Sequence, residues 1–291
     1  IELFHKAIDL DPTAALPYAG LSAAYTQLKA FSLPPHEVMP KARAAALKAL
    51  ELNPDLADAH AALGNVKLEY DFDFAGAEKA LRRAVELNPN LVMAHVWLAI
   101  HLAADNRADE AIPEIEIAQD LDPLSPAVAF NALFVYYLAR DYDMAVEAGK
   151  ESLELMPDMP LAHVMLGATY EMQGRFAEAI AEMEKAREIG GEFSLVMEFL
   201  AGVYATSGQP DKAREVLADF IELSQQQYVC AYEVATAYAA MGDNDEALEW
   251  FEKGIEDRAD CMPYARTDPK WDYIRDEPRF QSLLQQIGPG G

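Results

Sequence analysis

Six histidines, two cysteines and 49 carboxylates are the groups in this 291-residue chain that could move protons or hold a metal. Either task needs several of them converging, three or four residues apart if they share a helix face. His95 and His101 are six residues apart, which places them on different faces of a helix, and no His-Glu-x-x-His pattern occurs. Cys230 and Cys261 lack the close spacing of a metal knuckle and are too few for a disulfide framework. Gly-x-Ser-x-Gly, Gly-x-x-x-x-Gly-Lys and Gly-x-Gly-x-x-Gly are all missing. The carboxylates scatter over polar positions, where chance neighbours are inevitable. The residues therefore predict a chain that performs no chemistry and needs no cofactor or metal.

Charge narrows the partners. Asp and Glu outnumber Lys and Arg by 49 to 23, a net charge of −26, which repels phosphate backbones and anionic membrane surfaces. Nucleic acid and membranes are thus disfavoured as ligands, and a basic partner would be steered inward. No apolar run approaches the length of a membrane span, and the low cysteine content fits a reducing cytoplasm. The opening IELFHKAIDLDP has neither an initiator Met nor a signal-peptide layout, so the chain reads as a piece of a larger protein. The closing Gly-Pro-Gly-Gly reads equally as native tail or added boundary. With 52% hydrophobic residues the chain has material for a continuous core.

The elements that must carry these residues follow a period. Ala77, Ala111, Ala145, Ala179, Ala213 and Ala247 stand 34 residues apart, as do Tyr136, Tyr170, Tyr204 and Tyr238. Gly174, Gly208 and Gly242 repeat at the same interval between the Tyr and Ala stretches, where a tight turn wants positive φ. Asp11-Pro12, Asn53-Pro54, Asn88-Pro89, Asp122-Pro123 and Met156-Pro157 punctuate the units, because proline lacks an amide hydrogen and disfavours helix in the residue before it. Each unit is helix, turn, helix, stop.

These columns resemble the tetratricopeptide repeat (TPR) family. His163, Leu166-Gly167, Tyr170, Ala179, Met183 and Ala186 fill the family's slots in one unit, and Met197, Leu200-Ala201, Tyr204, Ala213 and Leu217 fill them in the next. The resemblance implies an all-α, right-handed superhelix whose hairpins bury their apolar faces by stacking. The expected organisation is a half repeat at 1–14, then repeats at 15–56, 57–91, 92–125, 126–159, 160–193, 194–227 and 228–261, seven hairpins in all, and a C-terminal cap at 262–291 with a helix near 276–287. An insertion at 30–40 predicts a long, stiff turn in the first repeat, before a second helix running to Leu52. Repeats five and six lack the closing proline, which predicts looser junctions. Gly190-Gly191-Glu192-Phe193 is similar to the signature turn of diguanylate cyclases but is one residue short and falls between helical hairpins, so it reads as a junction. His60, His95 and His163 occupy a slot that the family fills with bulky packing residues.

In that family, positions 2, 5, 9 and 12 of each first helix line the concave groove. The resemblance thereby implies a protein- or peptide-binding site at Met93, Val96 and Ile100, at Phe130, Phe134 and Tyr137, and at Leu161, Val164 and Glu171. Two expectations stay open for the aromatic members: they take a hydrophobic segment of a partner, or they tighten neighbouring helices and meet the chain's own tail. Of the Lys, Asn and Arg clamp with which some TPR domains hold a C-terminal carboxylate, Asn65 alone fits. Three stretches, LPPHEVMPKARAAALKALELNP, EYDFDFAGAEKALRRAVELNP and DPKWDYIRDEPRFQSLLQQIG, look like the C-terminal TPR region of bacterial multidomain signalling proteins. In those proteins the array follows a winged-helix, adenylate cyclase or serine/threonine kinase domain. The expected role is an interaction scaffold, or else the regulatory or oligomerising half of such an enzyme. Trp271, Tyr273, Ile274, Phe280, Leu283 and Leu284 are expected to cap the last hairpin.

Overall fold

The computed structural model describes residues 1–28, 33–191 and 193–288, and among these every regular element is helical. A leading helix α1 (Glu2–Leu10) precedes seven antiparallel hairpins. They are α2 (Ala15–Gln27) with α3 (Pro35–Leu52), α4 (Ala57–Val66) with α5 (Phe74–Leu87), and α6 (Val92–Ala104) with α7 (Ala108–Leu121). There follow α8 (Pro126–Leu138) with α9 (Tyr142–Leu155), α10 (Pro160–Met172) with α11 (Phe176–Gly190), α12 (Ser194–Thr206) with α13 (Pro210–Gln226), and α14 (Ala231–Met241) with α15 (Asn244–Glu256). Two short 3-10 turns, Met262–Arg266 and Pro269–Trp271, then lead to α16 (Pro278–Leu284) and a last 3-10 turn, Gln285–Ile287.

The repeating columns explain why the hairpins close. All six alanines at the 34-residue interval are completely buried, because each second helix crosses its first helix there and only a methyl group fits. A Cβ on Gly167 would stand 3.0 Å from the Ala179 carbonyl, so the α10–α11 crossing depends on that glycine. The turn between the two helices is left-handed in six consecutive hairpins, at Phe72, Asn106, Arg140, Gly174, Gly208 and Gly242. Only the last three are glycines, and the others accept a local cost of about 1 kcal/mol each.

His95 and His163 show what the histidine column does. Both are buried, and each spans a junction: Nε2 bonds a proline carbonyl (Pro89 at 2.9 Å, Pro157 at 3.0 Å) while Nδ1 meets a carboxylate on the second helix (Glu114 and Glu182, both 2.6 Å). They are buried packing residues that also fasten one unit to the next. His60 makes the first of these bonds, to Pro54 at 2.8 Å.

The insertion differs from expectation. Residues 29–32 lie outside those described, but α3 already begins at Pro35, so Pro35 and Pro40 are helical. Proline is tolerated at the first helical position because no acceptor waits for its missing amide hydrogen, and Pro40 costs the helix one hydrogen bond. Where the closing proline is missing, α13 simply runs on for 17 residues, against 14 in α5, α7 and α9. Gly190 ends α11, Gly191 turns the chain with φ +77°, Phe193 caps α12, and Glu192 lies outside the described residues.

Candidate inner-face site

The first helices of the hairpins make one continuous face, and the segment 262–288 crosses it as a strap. Tyr264 donates to Glu69 (3.3 Å), in the π-helical turn Lys67–Asp71 after α4, and packs edge-on against Phe134 of α8 at 5.1 Å. Four residues on, Asp268 accepts from Tyr137 of α8 (3.4 Å) and from Tyr232 of α14 (2.6 Å). Four residues of chain span at most about 14 Å. The second and seventh hairpins are therefore drawn towards one another, and the array curls around its own tail. Arg258 seals the ring by donating to the Tyr70 carbonyl at 2.9 Å.

Lys270 is the ionic centre of the strap. Its ammonium meets Glu198 at 2.5 Å and Asp268 at 3.5 Å, and lies over the Phe199 ring at 4.3 Å. Thr236 donates to the same Glu198 oxygen, whereas Glu198 Oε2 has no hydrogen-bond partner. Burial pushes Glu198 above the usual carboxylate range, against the pull of Lys270. Trp271 is fully buried between Phe251 and Phe280, at ring-centroid distances of 4.8 and 4.9 Å, and with Ile274, Leu283 and Leu284 it covers the last hairpin. Tyr273, expected in that cap, is 54% exposed.

Cavities open on the inner face at two places along the array. The N-terminal one, about 390 Å³, is walled by small residues (Ala19, Gly20, Ala23, Ala24, Ala61, Ala62) and bounded by Asp58, Asn65, Met93 and Trp97. The central one, about 240 Å³, lies between the first helices and the strap, with Trp97, Ile100, Phe130, Phe134, Tyr137 and Leu161 on one side and Tyr264, Asp268 and Lys270 on the other. Glu69 and Glu198 also line it, so three carboxylates face one ammonium. Trp97 borders both cavities.

Of the nine residues expected in the groove, Ile100, Phe130, Phe134, Tyr137 and Leu161 converge on the central cavity and Met93 on the N-terminal one. Glu171 lies in a small crevice with Lys270 and Tyr273, accepts from Thr206 at 2.7 Å, and is pushed up to about 7 by burial. Val96 and Val164 are completely buried in the main core and line neither cavity. Trp97, Asn131, Met165 and Phe199, one residue further round the helix, line the central cavity and were missed. Leu195, Glu198 and Tyr232 were also missed, although continuing the Leu161 and Phe130 columns by 34 residues leads to them. Asn65 is buried, and with its amide turned over the nitrogen donates to Glu69 at 3.1 Å.

Comparison with known proteins agrees with this geometry. Family models of the tetratricopeptide repeat match residues 73–126, 135–192 and 230–257. The chain thus contains tetratricopeptide repeats and folds as a TPR superhelix, a class that generally serves as a scaffold for protein interaction. No curated protein sequence matches the chain. Among solved structures it is similar to Pseudomonas aeruginosa PilF (21% identity, TM-score 0.54, covering 72% of this chain and 91% of that one). It is also similar to PilW, a type IV pilus biogenesis factor (17%, TM-score 0.59, 76% and 97%), and to the human IFIT1 dimer with m7Gppp-AAAA (21%, TM-score 0.61, 86% and 63%). At these identities the likeness is one of fold. Among the described residues, no helix is long and apolar enough to cross a membrane.

Proposed function

We propose that the inner face takes an extended partner segment with apolar anchors flanked by basic residues, running from the N-terminal cavity past Trp97 towards the central cavity. The observation that carries this reading is the central cavity itself: an aromatic pocket, open beside the strap, whose lining holds more carboxylates than ammonium groups. An apolar side chain gains about 25 cal/mol per Å² on entering such a site, and a neighbouring Lys or Arg answers its charge. The chain's net charge of −26 favours approach of a basic segment and disfavours nucleic acid. The three stretches that look like bacterial signalling proteins support a larger setting, in which the array is the cytoplasmic recognition arm of a regulator and catalyses nothing itself. A cyclase- or kinase-linked regulatory half would use the same face.

The test is fluorescence anisotropy with a library of labelled peptides that combine apolar and basic residues, against wild type, Phe130→Glu and Leu161→Glu. Selected peptides should lose at least about tenfold in affinity on either substitution, while the melting temperature holds. Equal binding by all three proteins moves the recognition surface off the inner face.

A further inference from the structure

Cys230 and Cys261 are 31 residues apart in the sequence, and nothing in that spacing suggests a shared site. The fold brings them together. Cys230 caps the N-terminus of α14, and Cys261 stands just before the 3-10 turn Met262–Arg266. The two sulfur atoms and a carboxylate oxygen of Asp260 all lie within 4.8 Å of one another. One helical turn along α14 is Glu233, 92% buried by its 8% exposure, with Oε2 lacking any hydrogen-bond partner. Two thiols and one carboxylate therefore converge where the strap leaves the last hairpin.

We infer that Cys230, Cys261 and Asp260 form a binding site for a divalent cation of the zinc class, with water in the fourth tetrahedral position. Zinc–sulfur and zinc–oxygen bonds of about 2.3 and 2.0 Å put tetrahedral ligand atoms roughly 3.5 to 3.8 Å apart, within reach of the observed cluster. The thiols select against calcium and magnesium, which take oxygen ligands alone. Both thiols lose their protons to solvent as two metal–sulfur bonds form and water leaves the ion. Because Tyr264 follows Cys261 by three residues and packs on Phe134, the bound ion fastens the strap across the inner face.

The test uses the full chain, reduced and freed of metal, titrated with Co²⁺ as a spectroscopic probe and then with Zn²⁺. The expected result is one Co²⁺ per chain, with thiolate-to-metal charge-transfer absorption and the intense visible bands of tetrahedral cobalt, displaced by one equivalent of Zn²⁺. Zn²⁺ should also raise the melting temperature. The Cys230→Ser/Cys261→Ser double variant, shown folded by circular dichroism, should lose both effects, and Asp260→Asn should weaken binding by about 10- to 100-fold. Weak octahedral bands unchanged in the double variant mean that surface carboxylates alone bind the probe, and overturn the site. Absence of charge-transfer bands in the reduced wild type overturns it equally, including where the two cysteines form a disulfide on reoxidation.

Discussion

The N-terminal and C-terminal halves of the inner face are built from the same 34-residue unit and yet end in opposite states. Towards the N-terminus, the first helices α2 and α4 present alanine and glycine, and the cavity of about 390 Å³ stays open to solvent along them. From α8 to α14 the same positions carry Phe134, Tyr137, Glu198 and Tyr232, and the strap lies on them. Large aromatic inner residues gain more apolar burial from a cover than a floor of methyl groups does, and Lys270 of the strap answers the charge of Glu198. The comparison teaches that side-chain size at repeating positions decides which part of a solenoid groove the chain fills for itself and which part it leaves for another molecule.

The sharpest way to break the comparison is to remove the strap's anchor. Trp271→Ala should cost about 3 to 5 kcal/mol in urea denaturation, as expected for a fully buried aromatic. A loss below about 1 kcal/mol would mean that the strap merely rests on the face. Next in size is Lys270→Met, which leaves Glu198 and Asp268 facing each other in a dry site and should cost about 2 to 4 kcal/mol. Adding Glu198→Gln should recover part of that loss; additive losses would show that the ion pair is not the cause.

A pH series sharpens the same point. Glu171 is raised from 4.5 to about 7 by burial; Lys270 and the Thr206 hydrogen bond oppose the shift and Glu198 adds to it. The folded state therefore holds a proton that the unfolded chain releases above pH 4.5, and this contribution to stability, complete below 4.5, is lost as pH rises through about 7. Relative to wild type, Glu171→Gln should flatten the fall in stability across that window, and an unchanged slope would place the carboxylate in water. The smallest effect is expected in the open half. Ala23 is exposed on the cavity floor of α2, so Ala23→Glu should stay within about 0.5 kcal/mol of wild type in thermal melts while weakening peptide binding.

Much of this was legible in the sequence, for reasons that particular residues make plain. Ala77 and its five successors revealed the helix crossings because only a methyl group fits there, and Gly174, Gly208 and Gly242 revealed left-handed turns. Phe72, Asn106 and Arg140 adopt the same turn without the glycine that advertises it. The groove columns were found to within one residue. Helical periodicity says that Phe130, Phe134 and Tyr137 share a face, but the tilt of each helix against its neighbours decides whether position 5 or position 6 looks inward. That is why Val96 and Val164 are core while Trp97 and Met165 line the cavity.

The sequence by itself determined the repeat, the hairpins, the acidic charge and the aromatic character of the inner face, because each is a local or periodic property of residue type. Only the tertiary structure decided that the tail crosses that face, that Tyr264 meets Glu69 across 195 residues of chain, and that Cys230 and Cys261 become neighbours. Those contacts depend on how far the superhelix curls before its ends meet. That curl is the sum of small rotations at every hairpin interface, a quantity that no single repeat contains.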